Sequence, residues 1–161
     1  MNENNIIHIN IEKDFRNLVN QARLKFIANM VLNLFDKNDF EFTISIVGEN
    51  KIRELNNNFR SINSVTDVLS FSANEMNPEN GKNIIGDVII SYPIAEKQSL
   101  SLHQQIKDEF DLLTIHGVLH LLGYDHESKK KEKQMFAIQS KLVQQIKEPI
   151  KKNRNKDEFN V

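Results

Sequence analysis

A chain of 161 residues, 39% hydrophobic and 27% charged, fits one soluble domain that buries roughly 70% of the surface its unfolded form exposes. Its net charge of −1 argues against a uniformly basic nucleic-acid coat, though not against a local basic patch. Cysteine is absent, which removes disulfides and thiolate metal sites. No apolar run approaches the ~20 residues of a membrane span, and the opening Met-Asn-Glu-Asn-Asn is no signal peptide, so a cytoplasmic protein with no membrane partner is expected.

Ile6 to Ile11 (IIHINI) reads as a first or edge strand, with His8 a structural residue inside it. From Asp14 to Asp36 apolar residues recur every three or four positions, which predicts a helix with Asp14 or a neighbour as its cap. Glu41 to Val47 alternates like a strand, Lys51 to Phe59 is a short helix, and Arg60 to Ser64 a polar loop. Asp67 to Phe71 is a third strand and Asn74 to Asn83 a turn-rich connection. Ile84 to Ser91 is a fourth strand, expected to be buried on both sides, with Gly86-Asp87 marking a bulge or close approach. Pro93 opens a helix running towards Gln98, and Ser101 is a plausible cap for the next.

That next helix, Gln104 to Leu122, is apolar nearly all round and belongs in the interior. Ser128 to Ile146 forms a last amphipathic helix that Pro149 ends. The elements give an α+β fold, a small mixed four-stranded sheet packed with about five helices, one of them central and buried. No repeat or linker divides residues 1–150, expected to be a single metal-dependent hydrolase domain. The polar tail 151–161 is expected to be disordered.

Of five histidines, three fall in His116-Gly-Val-Leu-His120-Leu-Leu-Gly123-Tyr-Asp-His126. Positions i and i+4 share a helix face, so His116 and His120 can point at one ion. Gly123 can end the helix in a left-handed conformation and let the chain bring His126 back. A single histidine on an apolar helix is ordinarily a hydrogen-bonded core residue; three at this spacing, with a glycine at the turn, point to metal. Three neutral nitrogen donors and a vacant fourth position describe catalytic zinc better than structural zinc, although nickel, copper and iron also accept imidazole. Zinc would lower the pKa of a bound water to about 7 and polarise a carbonyl or phosphoryl oxygen, so zinc-bound water is the expected hydrolytic agent.

The spacing is also similar to that of metzincin peptidases, whose second position is the glutamate general base. Gly117 stands there and cannot move a proton. Its lack of bulk is expected to let a backbone or large substrate approach. Glu109 and Asp111, earlier on the helix, could support the ligands from behind or lie at the surface, and the surface is the favoured expectation. A second stretch is Leu55-Asn-Asn-Asn-Phe59-Arg60, followed after five residues by Thr66-Asp67-Val-Leu-Ser-Phe71. On composition alone Arg60 is a surface arginine, but a loop before a strand suits a pocket-facing role and its planar fork suits a phosphate.

Together LNNNFR, TDVLSF, IIGDVIIS and HGVLHLLGYDH, in this order and over nearly the whole chain, resemble the YbeY family of bacterial rRNA maturation factors, metal-dependent endoribonucleases. The resemblance implies one zinc ion on His116, His120 and His126 and a functional arginine at Arg60. It further implies cleavage of single-stranded RNA, formation of the 3′ end of 16S rRNA from its precursor, late ribosome quality control, and the ribosome or its small subunit as partner. The stretch SINSV after Arg60, Ser72 and Gln139 depart from the family pattern and leave the metal ligands untouched. Two other readings stay open: a zinc peptidase that recruits its base elsewhere, and a non-catalytic ribosome-associated metal-binding factor using Lys129, Lys130 and Lys131.

Overall fold

Four runs become strands in the computed structural model, which describes residues 4–157, with side chains through 148. They are β1 (Ile6–Ile11), β2 (Phe40–Val47), β3 (Val68–Met76) and β4 (Asn83–Ser91). They pair in the order β1-β2-β4-β3, with β1, β2 and β4 parallel and β3 antiparallel to β4. The helices are α1 (Gln21–Leu34), α2 (Glu49–Arg60), α3 (Tyr92–Ser101), α4 (Ile106–Leu121) and α5 (Lys129–Asp157). This is the expected α+β fold with a mixed sheet. Contacts divide the chain into two units, Met1–Tyr124 and Asp125–Val161.

In the first unit, β4 lies between β2 and β3 and is buried over most of its length, as its apolar run requires. Gly86 sits at φ +129°, where an added Cβ would lie 1.9 Å from the Phe71 carbonyl oxygen. Pairing slips on both sides of it, between Glu41 and Phe42 and between Ser72 and Glu75, so the expected bulge and close approach are both present. β3 runs on to Met76, which shortens the expected loop to a tight link closed by Asn77 N–H to the Lys82 carbonyl at 2.8 Å. The Glu41 carboxylate receives Asn80 Nδ2 and Asn77 Nδ2, each at 2.9 Å, and lies 2.8 Å from His8 Nε2. These bonds, led by that from Asn80, hold its pKa down to about 2 and tie the hairpin tip to β1 and β2.

Three helix boundaries differ from expectation. α1 starts at Gln21 because Asn20, not Asp14, is its cap, the Asn20 Oδ1 accepting from Arg23 N–H at 3.1 Å. Residues 13–15 form a separate 3-10 turn whose Phe15 ring stacks on Tyr92 at 5.0 Å. α2 includes Arg60, and the loop starts only at Ser61 (φ 58°), whose N–H closes the helix on Asn56 and Asn57. Ser101 is the last residue of α3, its hydroxyl donating to the Lys97 carbonyl; Gln105 takes the cap position of α4.

Gly117 decides how α4 meets the sheet. A Cβ there would stand 2.5 Å from Val88 Cγ1 and 3.4 Å from Ser70 Oγ, and the Ser70 hydroxyl donates to the Gly117 carbonyl at 3.0 Å. Of the two expected approaches, by a backbone or by a large substrate, the missing side chain admits the chain's own sheet. Val88 and Ser70 face α4, whereas their neighbours Ile89 and Leu69 form a cluster with Val47 and Ile52 of α2. With successive side chains alternating across a strand, α4 covers one face of the sheet and α2 the other.

Glu109 and Asp111 are 3% and 6% exposed, not at the surface. On a helix buried nearly all round a carboxylate must find a partner inside. Asp111 accepts a forked pair from Arg23 of α1, Nε at 2.8 Å and Nη2 at 2.5 Å. Glu109 accepts from Gln104 Nε2 at 2.5 Å and, with the Gln98 amide oriented to satisfy its neighbours, from Gln98 at 2.7 Å. That same amide lies 3.3 Å from Asp67 Oδ2, at the foot of β3. Burial first, and the Asp67 charge second, raise the Glu109 pKa against the Gln104 bond.

In the second unit Ser128 caps α5, its hydroxyl accepting from Lys131 N–H at 3.2 Å, and Met135, Gln139 and Leu142 are buried on one stripe. α5 continues past Pro149, where the sequence suggested an end. One proline removes one helical bond, and the flanking Lys, Glu and Gln residues favour the helix. Residues 151–157 of the tail expected to be disordered continue the backbone of α5, while residues 158–161 and all side chains beyond 148 lie outside the described residues.

Gly117→Ala gains about 1 kcal/mol of helix propensity but drives a methyl into Val88, an overpacking cost of about 1–3 kcal/mol. Denaturant melts should show it destabilising the parent and stabilising the Val88→Ala background; the same sign in both would remove the contact as the cause. For Glu109, a raised folded pKa means the folded state binds more protons between the unfolded and folded pKa values, so its contribution to stability falls as pH rises through that window. Glu109→Gln should therefore gain in melting temperature relative to the parent from pH 4 to pH 8. A constant difference would contradict the raised pKa.

Candidate metal centre

The last turn of α4 is built to stop abruptly. Leu122 is its cap, Gly123 (φ +96°) donates to the His120 carbonyl at 3.0 Å, and Tyr124 N–H reaches back to Leu119 at 3.1 Å. These two bonds are the paired signature of a Schellman ending, which needs the left-handed residue that glycine supplies. The Tyr124 ring rests on Phe35 of the segment after α1, with centroids 5.4 Å apart. Two residues on, Asp125 Oδ1 accepts from Glu127 N–H at 3.1 Å and its other oxygen pairs with Lys131 at 3.2 Å, shaping the turn that carries His126.

His116 and His120 stand one turn apart with their Nε2 atoms 3.0 Å from each other and their rings edge to face, 72° apart. One nitrogen from each of His116, His120 and His126 lies within 4.8 Å of the other two. His116 and His120 are half-buried and His126 is exposed. A tetrahedral ion with metal–nitrogen distances of about 2.0–2.1 Å separates its donors by roughly 3.3 Å, so the His116–His120 pair already has the spacing. The donor set fits as well: three imidazoles and no thiolate suit zinc or another borderline divalent ion. This group can hold a metal ion.

The structure thus brings the three predicted ligands together, and it places Arg60 elsewhere. Arg60 is exposed at the C-terminal end of α2, on the helix that covers the opposite face of the sheet from α4. It remains linked to the histidine helix through β3. Phe59, beside it, meets Phe71 at 5.1 Å, and Ser70, beside Phe71, holds the Gly117 carbonyl. Lys129, Lys130 and Lys131 are exposed at the start of α5. Ser70 and the Asp67–Gln98 link to Glu109 were not singled out by sequence as supports of the site, and for Glu109 the sequence favours the surface over such a role. The available signal was a charged residue on an otherwise apolar helix, which demands a buried partner.

Among the described residues no helix is long and apolar enough to cross a membrane. Comparison with known proteins bears on the whole chain. A family model described as endoribonuclease YbeY matches residues 2–147. A protein of that name from Persephonella marina is 37% identical over 143 residues, covering 88% of this chain and 93% of its own. One from Dehalococcoides mccartyi is 39% identical over 156 residues, with 88% and 90% covered. The solution structure of a Thermotoga maritima protein superposes with a TM-score of 0.60 at 28% identity, over 92% of this chain and 93% of that one. The histidine spacing, the helix that carries it and these matches lead to one conclusion: the chain belongs to the endoribonuclease YbeY family.

Proposed function

We propose that this protein is a zinc-dependent endoribonuclease that cleaves single-stranded RNA, matures the 3′ end of 16S rRNA and acts in late ribosome quality control. The observation that carries the reading is the histidine triad, two ligands on α4 and His126 beyond its end and exposed, with Gly117 where a peptidase keeps its base. Family membership supports RNA as the substrate. A divalent ion bound there would supply Lewis acidity toward a phosphoryl oxygen and lower the pKa of water.

The chain's own residues do the rest. His116 and His120 are fixed by a helix that is clamped to the sheet at Gly117 and to α1 by the Arg23–Asp111 fork. Such support is what holds ligands to the tolerance that a site needs. Arg60 grips a phosphate of the RNA with its planar fork, on the α2 side of β3. Glu109 is not a base for the reaction: it lies two turns before His116 and its oxygens are held by Gln104 and Gln98. Asp111 is likewise engaged, in the fork of Arg23.

Incubation with a single-stranded RNA spanning the 3′ end of the 16S precursor should give cleavage that chelation stops, that zinc restores, and that His116→Ala abolishes with the fold retained. Cleavage undiminished by both would refute the metal reading. Arg60→Glu should lower kcat/KM for RNA by about 10–100-fold, the scale of a charge-assisted hydrogen bond, without shifting the melting temperature; parental kinetics would remove Arg60 from the site. A 2′,3′-cyclic phosphate on the product would assign the attack to the RNA's own 2′-hydroxyl.

A further inference from the structure

Phe59 is an aromatic ring with no cover adequate to its size. It lies on the apolar face of α2, in line with Ile52 and Leu55, but where those two are buried or half-buried it is 68% exposed. The reason is its position at the helix end, beyond the reach of the cluster formed by Val47, Ile52, Leu69 and Ile89. Its ring meets that of Phe71 at 5.1 Å, tilted by 50°. A large aromatic face left open to solvent beside a second ring suits a residue that receives another flat ring.

We propose that Phe59 is a stacking platform for an unpaired nucleobase of the RNA substrate. The inference rests on the endoribonuclease reading and deepens it. Three features select a nucleobase as the occupant. Arg60 is the next residue and is exposed, so a cation for the backbone phosphate stands beside the ring for the base; this pairing is how single-stranded nucleic acid is held without sequence preference. The left-handed Ser61 ends α2 at once, so the chain turns away from the ring instead of covering it. The third feature is the place of β3. It is the edge strand of the sheet, with Phe71 on one face against Phe59 and Ser70 on the other against Gly117, between His116 and His120. A strand of RNA crossing this edge meets the stacking ring on one side and the histidine helix on the other. Double-stranded RNA, with its bases stacked on each other, has no face to offer to Phe59, which gives the site its preference for single strands.

The chain contains no tryptophan, so Phe59→Trp places a single tryptophan at the proposed contact, excited selectively above the absorption of the two tyrosines. Rapid mixing with a short single-stranded RNA should quench it, while an abasic ribose-phosphate oligomer of the same length should not. In cleavage assays on the full chain, Phe59→Ala should raise KM about 5- to 150-fold, the range for loss of one base–aromatic stack, and affect KM more than kcat. Phe59→Leu keeps apolar bulk against Phe71 but has no π-face and should share the defect, whereas Phe59→Tyr should restore parental KM. Leu equal to the parent, or a tryptophan that responds alike to RNA and to the abasic oligomer, would overturn the stacking role and leave the nuclease reading standing. A parent chain that neither binds nor cleaves RNA would overturn both.

Discussion

The close approach of α4 to β3 and β4 at Gly117 sets where the histidines stand. Without a side chain at that position the helix backbone comes within contact of Val88, and its carbonyl is met by the Ser70 hydroxyl. His116 and His120 flank this point of contact on the chain, so their ring positions inherit its rigidity. The Schellman ending at Gly123 then turns the chain within three residues of His120 and leaves His126 able to complete the triad. One glycine fixes the helix and the other releases the chain.

The price of burying α4 is two carboxylates. Its apolar side chains, Phe110, Leu113, Ile115, Val118 and Leu119 among them, each contribute about 1.5–3 kcal/mol on burial, which is enough to carry polar residues inward if these are partnered. Asp111 is held in the fork of Arg23, and such a pair roughly offsets its own desolvation while fixing the register of α1 on α4. Glu109 takes the other route: without a cation among its bonded partners, it is relieved by amides and by a pKa raised through burial. Through Gln98 it also reaches Asp67, whose Oδ1 accepts from Val68 N–H at 2.8 Å and whose carbonyl accepts from Ser91. The loop between Arg60 and β3 is therefore anchored at its far end to the helix that bears the histidines.

Much of this was legible in the sequence because it depends on local pattern. The strand Ile6–Ile11, the buried character of β4, the bulge at Gly86 and the buried helix with its glycine stop all follow from side-chain periodicity and glycine's conformational range. What escaped depends on residues far apart. Asn20 and Asp14 are both acceptable caps, and the stacking of Phe15 on Tyr92 accompanies the choice between them. Arg60 read as a loop residue because Ser61, a non-glycine in the left-handed region, gives no advance notice of where α2 ends. Glu109 and Asp111 read as surface residues because their partners, such as Arg23, 88 positions away from Asp111, become visible only on folding. The strand order has the same origin, since pairing across the sheet is non-local.

The account stands on three imidazoles serving one ion, and X-ray absorption at the zinc edge of the zinc-loaded protein tests this most directly. It predicts one zinc per chain in a four-coordinate shell with three imidazole nitrogens at about 2.0–2.1 Å, falling to two in His126→Ala. A parent spectrum with fewer than three imidazoles, or one that His126→Ala leaves unchanged, would contradict it.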